Sequence, residues 1–390
     1  MSTNGTSSGA VVIVGGGVAG ASLAYFLAAR GVVDVVLLER EARTAYHASG
    51  RSARTLLEID PNPVVQRLKV LGAEFLRRPP EGFTPRPLLD PRGALRLFRG
   101  AGWRDVQSRV DELREAGRDC ELISAEEAVD RVGVLEAGTF DGAAYLPEGG
   151  FIDVDALLDG YLAAAVAAGV EVRTGEPVLD IEYDAGRVSA VVTAHGRLRA
   201  RWIVNAAGAW AGELAGMADA TRPELVARRR SIAIFPVHED LAELGVECWP
   251  LVWSDPHSVY FRPGFDGLMV CAMDETPSPP CDAVCDERVL EEAMSRLAVL
   301  APRLCMAGLA RGSADGTSSV RSWAGLRTFA ADGVPVVGED PRRPGFFWLA
   351  GQGGCGIETS GLLGQLASDL ITEGASNLFD VGLLTPRRFG

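Results

Sequence analysis

The sequence predicts an α/β fold, α+β overall. A Rossmann-like dinucleotide-binding domain is assembled from separated segments, and a mostly antiparallel domain is inserted between them. Three observations carry this expectation. The run Val11-Val12-Ile13-Val14-Gly15-Gly16-Gly17-Val18-Ala19-Gly20 reads as strand, glycine turn and helix, and a second strand, Val35-Val36-Leu37-Leu38, ends in Glu39. From about Ala227 to Val320 short alternating or apolar runs replace the βα alternation. Near the C-terminus apolar strands, the glycine segment Gly351-Gln352-Gly353-Gly354-Cys355-Gly356 and a helix return the chain to the first layer.

Each element has a local reason. Gly15 permits the tight turn, Gly17 lets backbone approach a pyrophosphate, and Gly20 lets helix and strand pack closely. The helix N-terminus offers free N–H groups and a positive dipole end. Glu39 is placed to accept bonds from ribose hydroxyls. A polar loop, Tyr46 to Arg54, precedes a helix expected from about Pro63 to Arg77. A proline-rich stretch to Pro91 and a short strand, Ala94 to Phe98, come next. Charged helical sequence from about Trp103 to Val132 is expected to form a surface cap. Asp153 is a candidate N-cap for a helix whose apolar positions Leu157, Leu158, Tyr161, Leu162 and Val166 share one face. Val170 to Arg173 reads as a parallel strand. Val178 to Tyr183 and Val188 to Thr193 read as a hairpin over Asp184-Ala185-Gly186. Trp202-Ile203-Val204 leads into Asn205-Ala206-Ala207-Gly208-Ala209-Trp210. Short strands at Ser231–Val237, Leu251–Ser254, Val259–Arg262 and Leu268–Ala272 are followed by a helix from about Asp286 to Leu300. Val334 to Val337 and Phe346 to Ala350 are strands, and the last helix spans about Ile357 to Ile371.

At 390 residues the chain is expected to form about two domains. No apolar run approaches the roughly 20 residues that span a bilayer. Met1 to Gly9 is small and polar without a basic region, so it reads as a flexible leader and the chain as cytoplasmic. A net charge of −14 argues against nucleic acid or anionic lipid as a partner. The seven cysteines are scattered, and neither they nor the histidines stand at metal-ligand spacing, so no metal is expected.

These motifs resemble the D-amino acid oxidase superfamily of flavoproteins, which includes sarcosine and glycine oxidases. The resemblance covers almost the whole chain and is greatest to the D-arginine dehydrogenase branch. It is carried by the Asn205 to Trp210 run, Leu38-Glu39-Arg40-Glu41, Tyr46-His47 with Gly50-Arg51-Ser52, Arg229-Arg230-Ser231, Trp323-Ala324-Gly325-Leu326-Arg327-Thr328-Phe329, and Phe346-Phe347-Trp348 with Gln352-Gly353-Gly354. It implies FAD, held non-covalently because the Trp323 to Val334 neighbourhood has no cysteine for a flavin link. It also implies a leader over 1–9, an FAD-binding domain over 10–85, 149–215 and 321–390, and a substrate domain over 86–148 and 216–320.

Similarity places Gly15, Gly17, Ala19, Gly20, Glu39 and Arg40 at the adenosine and pyrophosphate. Ala48, Ser49, Gly50, Arg51, Ser52, Ala53 and Thr55 would lie along the phosphates and isoalloxazine, with Val178 at the adenine and Gly208 beside the cofactor. Gly354, Gly356, Ile357, Glu358 and Thr359 would lie at the flavin edge, where the helix dipole stabilises negative charge on reduced flavin. Arg51 is either such a residue or an ordinary surface arginine.

The implied reaction moves hydride from the Cα of an amino acid or N-substituted amino acid to flavin N5. The imine then hydrolyses to a 2-oxo acid plus amine or ammonia. Arginine suits the carboxylate because its fork pairs bidentately. Arg327 matches the family's carboxylate anchor, Tyr260 its assisting tyrosine and Arg229 a further pocket arginine, while Gly354 would offer its carbonyl to the amine. Ala94 stands where D-arginine dehydrogenases carry a glutamate for the distal guanidinium, Thr55 replaces their loop histidine and Asp60 a nearby tyrosine. The lost acid is worth on the order of 1–3 kcal/mol, which disfavours D-arginine. Arg54 either attracts an acidic substrate or is a solvated surface residue. The acceptor is oxygen or another oxidant. Lys69, the sole lysine, lies outside every flavin motif, which leans toward a dehydrogenase or slow oxidase. An oxidase of N-substituted glycines and a flavin-binding subunit needing a partner are the competing readings.

Overall fold

The computed structural model describes residues 11–32, 34–237, 242–264, 266–306 and 320–389. The expected leader and His238 lie outside them. A six-stranded sheet runs in the order Val336–Glu339, Phe346–Ala350, Trp202–Asn205, Val11–Val14, Val35–Leu38, Glu171–Arg173. Its strands are parallel except the first, which is antiparallel to Phe346–Ala350. The inner strands Val11–Val14, Val35–Leu38 and Phe346–Ala350 read as continuous apolar runs because both faces are covered, whereas the edge strand Glu171–Arg173 does not. The helices Val18–Ala29 and Gly356–Thr372 contribute to the core on one face, including Leu23, Leu27, Leu363 and Leu366.

The second layer is an eight-stranded sheet in the order Arg321–Ala330, Leu225–Phe235, Gly267–Cys271, Val259–Gly264, Leu251–Ser254, Ala94–Phe98, Gly142–Leu146, Glu121–Ser124. Its pairs are antiparallel except Leu251–Ser254 with Ala94–Phe98. The helix Glu287–Leu300 closes one face through Ala293, Leu297 and Leu300, which share a core with Ala233, Phe261 and Val270. A small sheet, Thr55–Leu56, Gly150–Ile152 and Leu89–Asp90, lies where the chain passes between the layers.

Several expectations are revised. The charged stretch from Trp103 to Val132 forms two helices, Ala101–Glu115 and Ala125–Arg131, with the strand Glu121–Ser124 between them. The expected hairpin gains a third strand, Gly196–Arg199. The boundary placed at 321 is early. Arg321–Ala330 pairs with residues 225–234 in the eight-stranded sheet, and the chain rejoins the six-stranded sheet only at Val336. Its polar start and mixed alternation hid a strand whose partner lies about a hundred residues upstream.

The glycine turn is held by close backbone approach. Gly15 has φ +117°, and a Cβ there would sit 2.3 Å from the Ala206 carbonyl oxygen. A Cβ on Gly20 would sit 2.0 Å from the Gly15 oxygen. Gly20→Ala is therefore expected to lower stability by about 1–3 kcal/mol by forcing helix and strand apart, read as a fall in the thermal unfolding midpoint.

Candidate functional site

A cavity runs between the two sheets, bounded at one end by the Gly15 turn and at the other by the Gly353 segment. At the first end Gly15, Gly17, Val18 and Ala19 line it. The Val18 N–H donates to Ser49 Oγ (2.9 Å), so the polar loop meets the helix N-terminus. Glu39 is buried and lines the cavity, with Oε2 accepting the Gly16 N–H (2.8 Å) and Oε1 the Glu41 N–H (2.9 Å). A carboxylate has about four lone-pair sites, so acceptor capacity is left over. Arg40 lines the same end with its guanidinium 4.8 Å from the Trp210 ring centre. Val178 and Gly208 line it too. His47 bonds Glu41 (3.0 Å) and stands against Trp210.

Along the middle, Ala48, Ser49, Arg51, Ser52, Ala53 and Thr55 line the wall. Arg51 makes four hydrogen bonds within the protein. Its Nη1 donates to the carbonyls of Ala283 (3.0 Å) and Ala324 (3.2 Å), its Nε to Tyr46 O (3.2 Å) and its Nη2 to Asp282 (2.5 Å). Arg54 lines the cavity and pairs with Asp155 (2.6 and 3.0 Å). Gly20, Gly50 and Thr359 do not reach the lining. Gly20 and Gly50 permit close backbone packing behind it, and Thr359 is buried on the Cys355 carbonyl.

At the far end Gln352, Gly353, Gly354, Gly356, Ile357 and Glu358 form the wall. Gly353 has φ +54° and donates its N–H to Thr328 O (2.8 Å). A Cβ on Gly354 would lie 2.9 Å from Arg327 Nη1, so this glycine makes room for the guanidinium. Arg327 lines the cavity and has no carboxylate hydrogen-bonded to it among the described residues. Burial, and the charge of Arg230 beside it, lower its basicity.

Sheet register identifies its partner and corrects one expectation. Arg230 pairs with Gly325 and Arg228 with Arg327, so these share one face, while Arg229 opposes Leu326 on the other. Arg230 lines the cavity; Arg229 does not. Instead Arg229 bonds Asp274 and Asp286, each at 3.3 Å. Arg230 is 4 % exposed, and its Nε and Nη1 are buried without a hydrogen-bond partner. Tyr260 is on the same face, since it pairs with Cys271 and Cys271 with Ile232. It stacks on Trp253 at 4.4 Å one layer behind the lining, with its hydroxyl buried and unpartnered. Burial raises its pKa, and Arg327 and Arg230 act in the opposite direction.

Ala94 is fully buried in the core and absent from the wall. Lys69 proves closer to the site than its place in the sequence suggested. The helix Pro63–Arg77 comes so near the last helix at Gly72 that a Cβ there would be 2.4 Å from Glu358 O. One turn earlier, Lys69 Nζ reaches Asp60 (3.0 Å), Leu57 O (3.0 Å) and the cavity-lining Glu358 (3.6 Å). Burial disfavours its charge, but Glu358 and Asp60 more than offset this and hold it protonated. Cys355 is buried and donates to Gln352 O, and burial pushes its thiol up to about 12.

FAD fits this cavity on three observations. Backbone at Gly15 and Gly354 leaves no room for a side chain. Ser52 and Thr328 line the cavity, and their hydroxyls are buried without hydrogen-bond partners. The buried guanidiniums of Arg327 and Arg230 lie at the end opposite Glu39. Among the described residues no group of three His, Cys, Asp or Glu could hold a metal ion, and no helix is long and apolar enough to cross a membrane.

The family model described as DAO, FAD dependent oxidoreductase, matches residues 10–370. Mitochondrial sarcosine dehydrogenase from Mus musculus is 27 % identical over 392 residues, covering 94 % of this chain and 40 % of that protein. The chain thus spans about two fifths of that relative's length. Glycine oxidase from Pseudomonas putida is 28 % identical over 394 residues, covering 96 % of this chain and 98 % of that one. Among solved structures, L-proline dehydrogenase from P. horikoshii superposes with a TM-score of 0.85 at 20 % identity, covering 98 % of each chain.

Glu39→Ala should weaken FAD binding by about 1–3 kcal/mol, roughly 5- to 150-fold in Kd, measured by quenching of flavin fluorescence on titration into apoprotein. Arg229→Ala, in contrast, should lower the unfolding midpoint by freeing Asp274 and Asp286 while changing KM for substrate less than twofold. A selective rise in KM would return Arg229 to the pocket.

Proposed function

Because the chain belongs to the DAO family of FAD-dependent oxidoreductases, we propose that it oxidises the C–N bond of a carboxylate-bearing amino acid or N-substituted amino acid. The observation that carries this is the buried guanidinium of Arg327 on the cavity wall, with no carboxylate hydrogen-bonded to it among the described residues, beside Arg230, whose carboxylate partner Glu275 is half exposed. A buried cation without a counter-ion is costly, and a bound substrate carboxylate removes that cost. Glycine oxidase and sarcosine dehydrogenase, by their names, act on small carboxylate-bearing amines, which agrees with this wall.

Arg327 is assigned the carboxylate anchor. Its fork is fixed by the strand Arg321–Ala330 and by the room left at Gly354. Arg230 adds the second cation, and Tyr260, behind both, offers a hydroxyl to the anchor. Gly354, beside Arg327, is placed to receive the substrate amine on its carbonyl. Bound FAD, held non-covalently, supplies the acceptor for the hydride leaving Cα. With the amine entering neutral, the protein's task is to orient the Cα–H and exclude water rather than to supply a strong base. The imine then hydrolyses to a 2-oxo acid plus amine or ammonia.

The motif resemblance to the D-arginine dehydrogenase branch supports the scaffold but not that substrate. Ala94 offers no acid, and Asp60 is engaged by Lys69. Oxygen or another oxidant closes the cycle.

Anaerobic mixing of the yellow protein with D-, L- and N-alkyl amino acids tests the reading through bleaching of the flavin absorbance. Carboxylate-bearing substrates should bleach it, and D-arginine no faster than neutral analogues. Arg327→Lys should lower kcat/KM by roughly 30-fold or more, as expected when a buried charged hydrogen-bonding partner is lost at about 2–5 kcal/mol. Equal bleaching by amines lacking a carboxylate would refute the assignment.

A further inference from the structure

Residues 272–285 cross from the end of the strand Gly267–Cys271 to the helix Glu287–Leu300, with Cys281 and Ala283 forming part of the cavity wall. This strap is fastened at its base and its tip. At the base Arg229 bridges Asp274 and Asp286, and Ser231 donates its N–H (2.6 Å) and Oγ–H (3.0 Å) to Asp274. The Arg229 N–H donates to Thr276 O (2.9 Å). At the tip Asp282 accepts from Tyr46 (3.0 Å) and Arg51 (2.5 Å).

Within the base, between Asp274 and Thr276, Glu275 Oε1 accepts one hydrogen bond from Arg230 Nη2 at 2.7 Å. The two partners differ sharply in environment. The Glu275 side chain is 49 % exposed, whereas that of Arg230 is 5 % exposed and has two further donors buried without partners. An acid that served only to orient Arg230 would be buried with it and bidentate. Glu275 is neither, and returning it to water costs little. Arg327, on the neighbouring strand and the same face, has no such carboxylate partner among the described residues.

We propose that Glu275 is a specificity-determining residue that competes with the substrate carboxylate for Arg230. Ligands whose carboxylate can engage both Arg327 and Arg230 displace it. Amines without a carboxylate leave it in place. The proposal rests on the reading of this wall as the carboxylate site.

FAD-loaded wild type and Glu275→Gln are titrated with acetate and benzoate, non-oxidisable monocarboxylates, and followed by perturbation of the flavin absorbance. Glu275→Gln is expected to bind both roughly fivefold more tightly, the upper end for a half-exposed ion pair, and to show a lower KM with a smaller change in limiting reduction rate. Unchanged or weaker carboxylate binding in the variant overturns the proposal. If Glu275→Gln does not load FAD, Glu275→Ala removes the same charge and is read by the same criterion. A wild type whose flavin responds to no carboxylate and is bleached by no amino acid refutes the site reading itself, which separates the two failures.

Discussion

The cavity exists because one loop is bonded to both sheets. On the six-stranded side, Ala45 donates its N–H to Gly16 O (3.0 Å) and Ser49 accepts from Val18. On the eight-stranded side, Arg51 donates to Ala324 O, Trp323 Nε1 donates to Arg51 O (3.0 Å), and Arg262 Nε donates to Ala53 O (3.1 Å). Arg262 is itself buried against the Phe151 ring, and burial pushes its guanidinium down to about 10. With that loop fixed to both walls, the space between the layers is set by hydrogen bonds that each have a main-chain atom at one end or both.

Charge is distributed along the cavity in a matching way. Glu39 lies at the end where the backbone N–H groups of the first helix converge, and the buried arginines lie at the other. Beneath the far wall, Lys69 is shared between Asp60 and Glu358, so that wall carries carboxylate charge held in place from behind. Buried ion pairs of this kind contribute little net stability, but removing one partner is expensive. The cluster therefore fixes where Glu358 stands.

Much of this was legible in the sequence wherever the signal is local. The glycine turn, Glu39 and the helix Pro63–Arg77 follow from contiguous residues whose spacing has one reading. Asp153 caps its helix through Ala156, as its position suggested. Legibility failed where the answer depends on a distant partner. Arg228, Arg229 and Arg230 are consecutive, and nothing within the strand says which faces inward; the pairing with Arg321–Ala330 decides it. Lys69 and Glu358 are far apart in sequence and meet only because Gly72 lets two helices touch. The same distance effect misplaced the boundary at 321, since a strand belongs to the sheet it pairs with, not to the motif it carries.

The strand Arg321–Ala330 does not end its influence at the edge of its sheet. Gly353 bonds to Thr328 O, and Phe329 forms an isolated bridge with Gln352. Arg327 and the glycine segment therefore travel as one stiff bracket. Any breathing of the two layers would widen the opposite side of the chamber and leave the spacing between Arg327 and the glycine segment untouched. Spacing at that end is thus insulated from whatever opening lets small molecules enter and leave.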